Sequence, residues 1–403
     1  MQSEQLYQKS VSYLHTLCRT IPERCVGSPG NRQATDFFKR QIASLGWQTE
    51  VSELDAVDWE NGGAALHVED EAFSVLVSPY ALGCRVQAEL VSAATIEALA
   101  RQEIGGKILL LHGEIAKEQI MPKNFVFYNP EEHQSIIALL EQKQPAAIIC
   151  ATGRNPAVAG GVYPFPLFED GDFDIPSVYT TEEEGNRLLP RVGAQAVLHS
   201  RSKRIPAKAY QVIARKGKNM DERIVITAHI DAKKGSPGAI DNATGVIVLL
   251  LLAELLKDYS GERGLEIVAF NGEDYYAVTG QMDYMRKNQG RFNTIVLNIN
   301  IDGAGYKEGK TAFSPFNLPA ALQTAVDDTL AKFDGISQGA AWVQGDHSMF
   351  IQQGCPAMAV SSQWFLENME SQEITHTPKD NPDIVDCRKL VETASALAWF
   401  IQR

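Results

Sequence analysis

The chain of 403 residues carries 44% hydrophobic and 22% charged side chains and a formal net charge of −13. That length predicts two domains with ample apolar material for sizeable cores, and the composition excludes a disordered or fibrous chain. The acidic balance, with no long basic run, argues against nucleic acid or an anionic membrane as the main partner.

In chain order, the first periodic segment is Glu4–Cys18, where Leu6, Val11, Leu14 and Leu17 recur near helical spacing. This start has no basic stretch followed by an apolar core, so no secretory leader is expected. A cytoplasmic location is the expectation, or a secreted one if a leader has been removed. Gly27-Ser28-Pro29-Gly30 marks a loop, and Asn31 is expected to cap a helix that ends at Gly46. Trp47–Trp59 alternates like a strand. From about residue 60 to 203 the texture changes to short apolar runs, among them "GKILLLHG" and "AAIICATG", with "IIALLEQKQ" as a helical interruption. This predicts a compact, mostly β module with one or two helices.

Near residue 205 the pattern switches again. "ERIVITAH" reads as a strand ending at His229, "NATGVIVLLLLAELLKDY" as a helix, and "LEIVAFNGED" as a strand ending at Glu273-Asp274. "VTGQMDYMRKN" is expected to be helical, "TIVLNINIDG" a strand ending at Asp302, "LPAALQTAVDDTLAKF" a helix, "AMAVSS" a strand and "CRKLVETASALAWFIQ" a closing helix. The apolar run Val246–Ala253 is far shorter than the ~20 residues of a membrane span. Alternating strands and helices predict an α/β fold: a mostly parallel mixed sheet with helices on both faces. Cysteines 18, 25, 84, 150, 355 and 387 show no Cys-x-x-Cys pairing and read as buried or free thiols.

The polar residues cluster where strands stop. His229, Asp231, Glu273, Asp274 and Asp302 each follow an apolar run, and ligands collect at the carboxyl ends of strands in open α/β sheets. Asp241 lies in a glycine-bearing loop before a helix, and His376 in the polar loop "ITHTPKDNPD". Singly, each has an ordinary reading: Asp241 and Asn242 as helix caps, Asp302 as a turn residue before Gly303, His376 as a loop histidine. Together, two imidazoles and three or four carboxylates suit zinc or a similar divalent ion. Without cations such an acidic cluster is self-repelling. A pair of metal ions ~3.5–4 Å apart activates water and polarises a carbonyl, and a carboxylate that binds neither ion is free to take the water's proton.

"AHIDAKKGSPGAIDNATG", "FNGED", "NINIDG", "GDHSMF" and "THTPKD" resemble, in order and spacing, the motifs of the co-catalytic zinc aminopeptidases, the family of bacterial leucyl aminopeptidase and glutamate carboxypeptidase. "RCVGSPGNRQATDFF" resembles that family's N-terminal element. The resemblance implies two divalent metal ions, zinc first, with His229 and Asp302 on one, Asp274 and His376 on the other, and Asp241 bridging. It implies Glu273 as general base, and Asp231 as a hydrogen-bond partner that fixes the tautomer of His229. Asp346 and His347 match an Asp-His pair near the substrate, and Asp380 is expected to orient His376. The chain departs from the usual Glu-Glu at Glu273-Asp274, and it places Lys233 and Lys234 in the ligand loop, either solvated or favouring an acidic substrate. Residues 60–203 resemble a protease-associated domain, inserted into a catalytic domain of residues 1–59 and 204–403. The function implied is hydrolysis of a peptide with a free N-terminus. Carboxypeptidase or dipeptidase activity, glutaminyl cyclisation and a non-catalytic binding role stand as alternatives, and the oligomeric state is open.

Overall fold

The computed structural model describes residues 2–21 and 23–403. It forms two compact units, one running from the N-terminal residues through Ala56 and joined to Lys208–Arg403, the other Val57–Ala207.

In the first unit the strands Ala357–Ser362, Ile295–Ile301, Asn219–His229 and Arg263–Phe270 lie side by side in that order. All four run parallel. Antiparallel partners flank them: Thr311–Phe316 beside Ala357–Ser362, and residues 212–216 beside Arg263–Phe270. The sheet is therefore mixed, with a parallel centre. Strand Arg263–Phe270 is buried from its second residue to its last. That is why its sequence is a near-continuous apolar run without alternation.

Helix Thr244–Leu255 is buried along Thr244–Ala253. A helix that is apolar all round belongs in an interior. Its cluster includes Leu6, Leu14 and Leu17 from the N-terminal helical segment, Phe38 and Ile42 from helix Pro29–Ser44, and Leu390 and Leu397 from helix Cys387–Ile401. Trp47 Nε1 donates to Ala253 O at 3.1 Å and closes one end of this packing. The helix after the Gly-Ser-Pro-Gly loop begins earlier than expected. Ser28 is its N-cap, accepting from Asn31 N, with Pro29 at the first helical position. Asn31 is thereby inside the first turn, and its side chain serves another purpose described below. Among the described residues no helix is long and apolar enough to cross a membrane.

The second unit differs from the mostly β expectation. Strands Cys84–Ala93, Ile108–Leu111, Ala147–Thr152 and Ser177–Thr181 are parallel neighbours, with Leu76–Val77 antiparallel at the edge. Helices Ile96–Arg101, Glu131–Lys143 and Glu182–Leu188 intersperse them. Parallel strands need crossover connections, so helices that look like interruptions in the sequence are part of the layering. The short run Ile108–Leu111 is buried throughout. A run of that kind carries no periodicity from which its pairing can be read.

The six cysteines are all free, four of them buried.

Candidate metal centre

Strand register brings the chemistry to one edge. Phe270 pairs with His229 across one parallel ladder, and Asn300 with Thr227 across the other. Two residues beyond Asn300, Asp302 therefore lies level with His229. The turn after Phe270 supplies Glu273 and Asp274 just past the same edge. The Asp302 amide donates to Val360 O at 2.8 Å, which carries the ladder one step beyond the strand.

Asp241 stands at the middle. Its Oδ1 is 3.1 Å from His229 Nε2 and its Oδ2 is 3.1 Å from His376 Nε2. Each imidazole has a second carboxylate: Asp302 Oδ1 lies 3.6 Å from His229 Nε2, and Asp274 Oδ1 lies 3.1 Å from His376 Nε2. Two histidine–aspartate sets thus share one aspartate. One ligand atom each from His229, Asp241 and Asp274 falls within 4.8 Å of the others. Asn242, expected with Asp241 as a possible cap, does act locally: its Oδ1 accepts from Gly245 N at 3.0 Å. The Asp241 carboxylate is left for the imidazoles. His376 sits at φ 63°, in the left-handed region that a histidine rarely adopts. Such backbone positions cluster at functional sites, where surrounding structure enforces them.

The donor set fits divalent cations. His229 Nε2 and Asp274 Oδ2 are buried and make no hydrogen bond, although carboxylates stand close to the first. Burial opposes protonation of His229, yet Asp302, Asp231 and Asp241 hold its imidazole well above the ordinary range. His376 is raised in the same way, against burial, by Asp274 and Asp241. Asp241 is held far below the usual carboxylate range by the two histidines, although burial works the other way. The cluster draws positive charge toward itself, as a metal centre does.

Two expected supports take other partners. Asp231 does not place its carboxylate on His229. The imidazole Nδ1 lies 3.2 Å from the Asp231 carbonyl oxygen and 3.7 Å from Oδ1. The carboxylate instead accepts from Gly272 N at 2.8 Å and Asp274 N at 3.0 Å, and so shapes the turn that carries Glu273 and Asp274. Asp380 accepts from Ile240 N at 2.7 Å and Asp241 N at 3.0 Å. It therefore fixes the shared aspartate rather than His376. Burial, with the nearby Asp241 charge, pushes the Asp380 carboxyl up to about 7. Asp346 accepts from Gln281 Nε2 at 2.8 Å through Oδ1, while its buried Oδ2 has no partner. A Cβ built on Gly345, which has φ 106°, would meet the Trp342 ring at 3.2 Å and Asp302 Oδ2 at 3.4 Å, so glycine allows this loop to pass close to the centre. Burial raises the Glu273 carboxyl well above its ordinary range, opposed by His229 and reinforced by Asp274, Asp302 and Asp346.

His347 donates from Nε2 to Trp342 O at 2.9 Å and packs against Trp342 and Phe316. Burial lowers its pKa to about 4. The unfolded chain therefore takes up this proton near pH 6.5 while the folded one does not. His347 contributes nothing to pH dependence above that value, and it destabilises progressively as pH falls toward 4, by on the order of 3 kcal/mol at the limit. In urea titrations the stability advantage of the wild type over His347→Gln is expected to shrink between pH 7 and pH 5. A constant difference would show that His347 titrates normally.

Sequence reading missed the side chains that brace this centre from the N-terminal segment. Arg24 is buried and donates to Ile230 O at 2.9 Å, Leu17 O and Pro237 O at 2.8 Å, and Gly238 O at 2.7 Å. Three of those carbonyls belong to the loop between His229 and Asp241. Asn31 and Asn271 exchange amide hydrogen bonds at 2.8 and 3.0 Å, which anchors the residue before the Gly272 turn. The "RCVGSPGN" loop contained the only hint, and a single arginine whose partners are backbone carbonyls carries no side-chain pattern in the sequence. The two loop lysines diverge: Lys234 Nζ is 3.8 Å from Glu23 Oε1, and Lys233 Nζ is 4.0 Å from Asp274 Oδ1.

Residues 211–401 match the model of peptidase family M28. The chain is 22% identical over 236 residues to the aminopeptidase YwaD of Bacillus subtilis (strain 168), covering 56% of this chain and 50% of that one. It is 22% identical over 312 residues to a probable leucine aminopeptidase 2 of Aspergillus oryzae, covering 75% and 59%. These matches span only about half to three-fifths of the relatives' own length. In three dimensions the chain resembles an aminopeptidase from Aneurinibacillus sp. strain AM-1, with TM-score 0.75, 19% identity and coverage of 98% and 93%. It also resembles a zinc aminopeptidase from Bacillus subtilis, with TM-score 0.73, 18% identity and coverage of 98% and 94%. A glutaminyl cyclase from Porphyromonas gingivalis is more distant, at TM-score 0.53 and 13% identity, with coverage of 99% and 97%. At these identities the structural likenesses establish the fold.

Proposed function

Residues 211–401 make this chain a member of peptidase family M28, and from that premise we propose that it is a metal-dependent aminopeptidase acting on peptides with a free N-terminus. One observation carries the reading: the two oxygens of Asp241 each stand 3.1 Å from a different imidazole, so a single carboxylate serves two ligand sets. His229 and Asp302 would hold one zinc ion, Asp274 and His376 the other, and Asp241 both. Ions bound there would polarise the scissile carbonyl and acidify water.

The protein's own groups supply the rest. Glu273 is the proton carrier: it takes a proton from the attacking water and returns it to the leaving amine. Its upward-shifted carboxyl suits a base that must also act as an acid near neutral pH. Asp231 holds the turn on which Glu273 and Asp274 sit, and Asp380 holds the backbone of Asp241. The acidic surroundings, Asp346 included, favour a substrate's free ammonium. The unit Val57–Ala207 is read as an inserted protease-associated-like domain on the strength of its sequence pattern.

The test pairs metal analysis with a substrate panel. Two zinc ions per chain are expected, with hydrolysis of amino-acid amides and aminoacyl nitroanilides and none of N-blocked dipeptides. Chelation should abolish turnover and zinc should restore it. Cleavage of the blocked dipeptides alone would mean a carboxypeptidase. A single ion with cyclisation of N-terminal glutamine would mean a glutaminyl cyclase. No bound metal and no turnover would leave a binding protein.

A further inference from the structure

Helix Thr279–Lys287 and the loop before helix His347–Gln352 bring one buried amide against one buried carboxylate. Gln281 is 2% exposed and Asp346 5%. Gln281 Nε2 donates to Asp346 Oδ1 at 2.8 Å. An ionised carboxylate only accepts, so the amide turns its NH2 toward it and its oxygen points elsewhere. Gln281 Oε1 and Asp346 Oδ2 are both buried without a hydrogen-bond partner. Each shares a carbon with one end of the Gln281–Asp346 bond, so the two oxygens belong to one neighbourhood.

That neighbourhood lies between the groups that carry the chemistry. A Cβ built on Gly272 would stand 3.2 Å from Gln281 Oε1, which puts this oxygen against the residue before Glu273. Gly345, the residue before Asp346, lies against Asp302 Oδ2. His229 Nε2 and Asp274 Oδ2 are likewise buried and unpartnered, and both are ligand atoms. Such atoms at this centre mark positions that a bound group completes. Whatever completes Gln281 and Asp346 must donate, because both oxygens are acceptors, and it must offer at least two hydrogens. A positive charge suits it to the Asp346 carboxylate. A primary ammonium meets all three demands. A peptide N–H satisfies one oxygen at most and brings no charge.

We propose that Asp346 and Gln281 form the receptor for the substrate's α-ammonium, with Asp346 Oδ2 and Gln281 Oε1 each accepting one of its hydrogens and Gln281 also positioning Asp346. The amino end then lies on the His229–Asp302 side of the centre. A lysine side chain carries the same group and is the second source. The proposal rests on the aminopeptidase reading above and goes beyond it in naming the atoms that read the amino end.

The experiment measures kcat/KM of zinc-loaded wild type, Asp346→Asn and Gln281→Met on leucine p-nitroanilide, its 2-hydroxy analogue and lysine p-nitroanilide. The hydroxy compound keeps the shape and loses the charge and two hydrogens. In the wild type the amino compound is expected to exceed it by about 10- to 100-fold, the range of one charge-assisted contact. Asp346→Asn keeps the shape but turns an NH2 toward the ammonium, so the ratio should fall to near one. Gln281→Met removes one acceptor and the hold on Asp346, and should leave an intermediate ratio. Because each ratio is taken within one preparation, loss of folded protein cancels. Bound zinc, measured alongside, should stay near the wild-type level in both variants. An unchanged ratio in Asp346→Asn overturns the assignment and leaves the aminopeptidase reading intact. Loss of zinc from Asp346→Asn makes the residue a support of the centre and also overturns it. So does a lysine-over-leucine advantage that vanishes in Asp346→Asn while the amino-to-hydroxy ratio holds, since the ammonium read there is a side chain's. Wild type that hydrolyses the amino and hydroxy compounds equally, or neither, removes both readings.

Discussion

Glu273→Gln is expected to lower kcat about 10²–10⁴-fold, the usual worth of a positioned general base, while KM and bound zinc stay near their wild-type values. Glutamine keeps the shape and polarity of the side chain and loses the ability to accept a proton. Glu273 is half-buried in the turn that Asp231 holds through Gly272 N and Asp274 N, so the substitution leaves the backbone bonds of that turn in place. The discriminating measurement is metal content beside turnover. Full activity in the variant ends the proton-carrier assignment. Loss of zinc together with activity makes Glu273 a ligand instead, and the shared-aspartate arrangement would need another base.

Arg24→Met is expected to lower the free energy of unfolding by about 3 kcal/mol or more, which places it in the large-effect tail of single substitutions. The guanidinium meets four carbonyls, those of Leu17, Ile230, Pro237 and Gly238. Methionine fills much of the volume but leaves those acceptors buried without donors. The cost is partly offset because a buried charge has also been removed. Arg24→Lys should recover only a fraction, since an ammonium presents its donors from one point and cannot span carbonyls spread around a planar fork. Urea titration in excess zinc reads the effect. A loss below about 1 kcal/mol would show that water or a shifted loop takes over the carbonyls. Because three of the four belong to the segment between His229 and Asp241, the same variant should also bind zinc more weakly. That is checked by competition with a chromophoric chelator.

How far the sequence could be read depended on the kind of interaction. Strands buried on both faces announce themselves as apolar runs, and the polar residue that ends each run is visible because water or a ligand must meet it. His229, Asp274 and Asp302 were legible on that ground, with Asp241 and His376 added by their loops and by motif spacing. Local signals competed poorly against tertiary ones in three places. Asn31 looked like a cap, but Ser28 holds that position, and a buried amide pair with Asn271 uses the asparagine across 240 positions of chain. The resemblance gave Asp231 to His229, yet its own carbonyl faces the imidazole and its carboxylate serves the next strand's turn. Asp380 was expected to orient His376 and holds the backbone of Asp241 instead. Adjacency in sequence specifies which groups are near each other, not which oxygen points where.

In the second unit the strands were seen, but their parallel pairing and helical crossovers were not, because runs as short as Ile108–Leu111 have no period to read.

By itself the sequence determined the alternation of strands and helices, the choice of candidate ligands and the chemistry they suit, because burial pattern and donor type are properties of residues. Only the tertiary structure decided that Asp241 divides its oxygens between two imidazoles, that Arg24 closes the ligand loop, and that Asp380 holds the backbone of Asp241. Those are matters of direction over a few ångströms between groups far apart in the chain, set by strand register and loop closure.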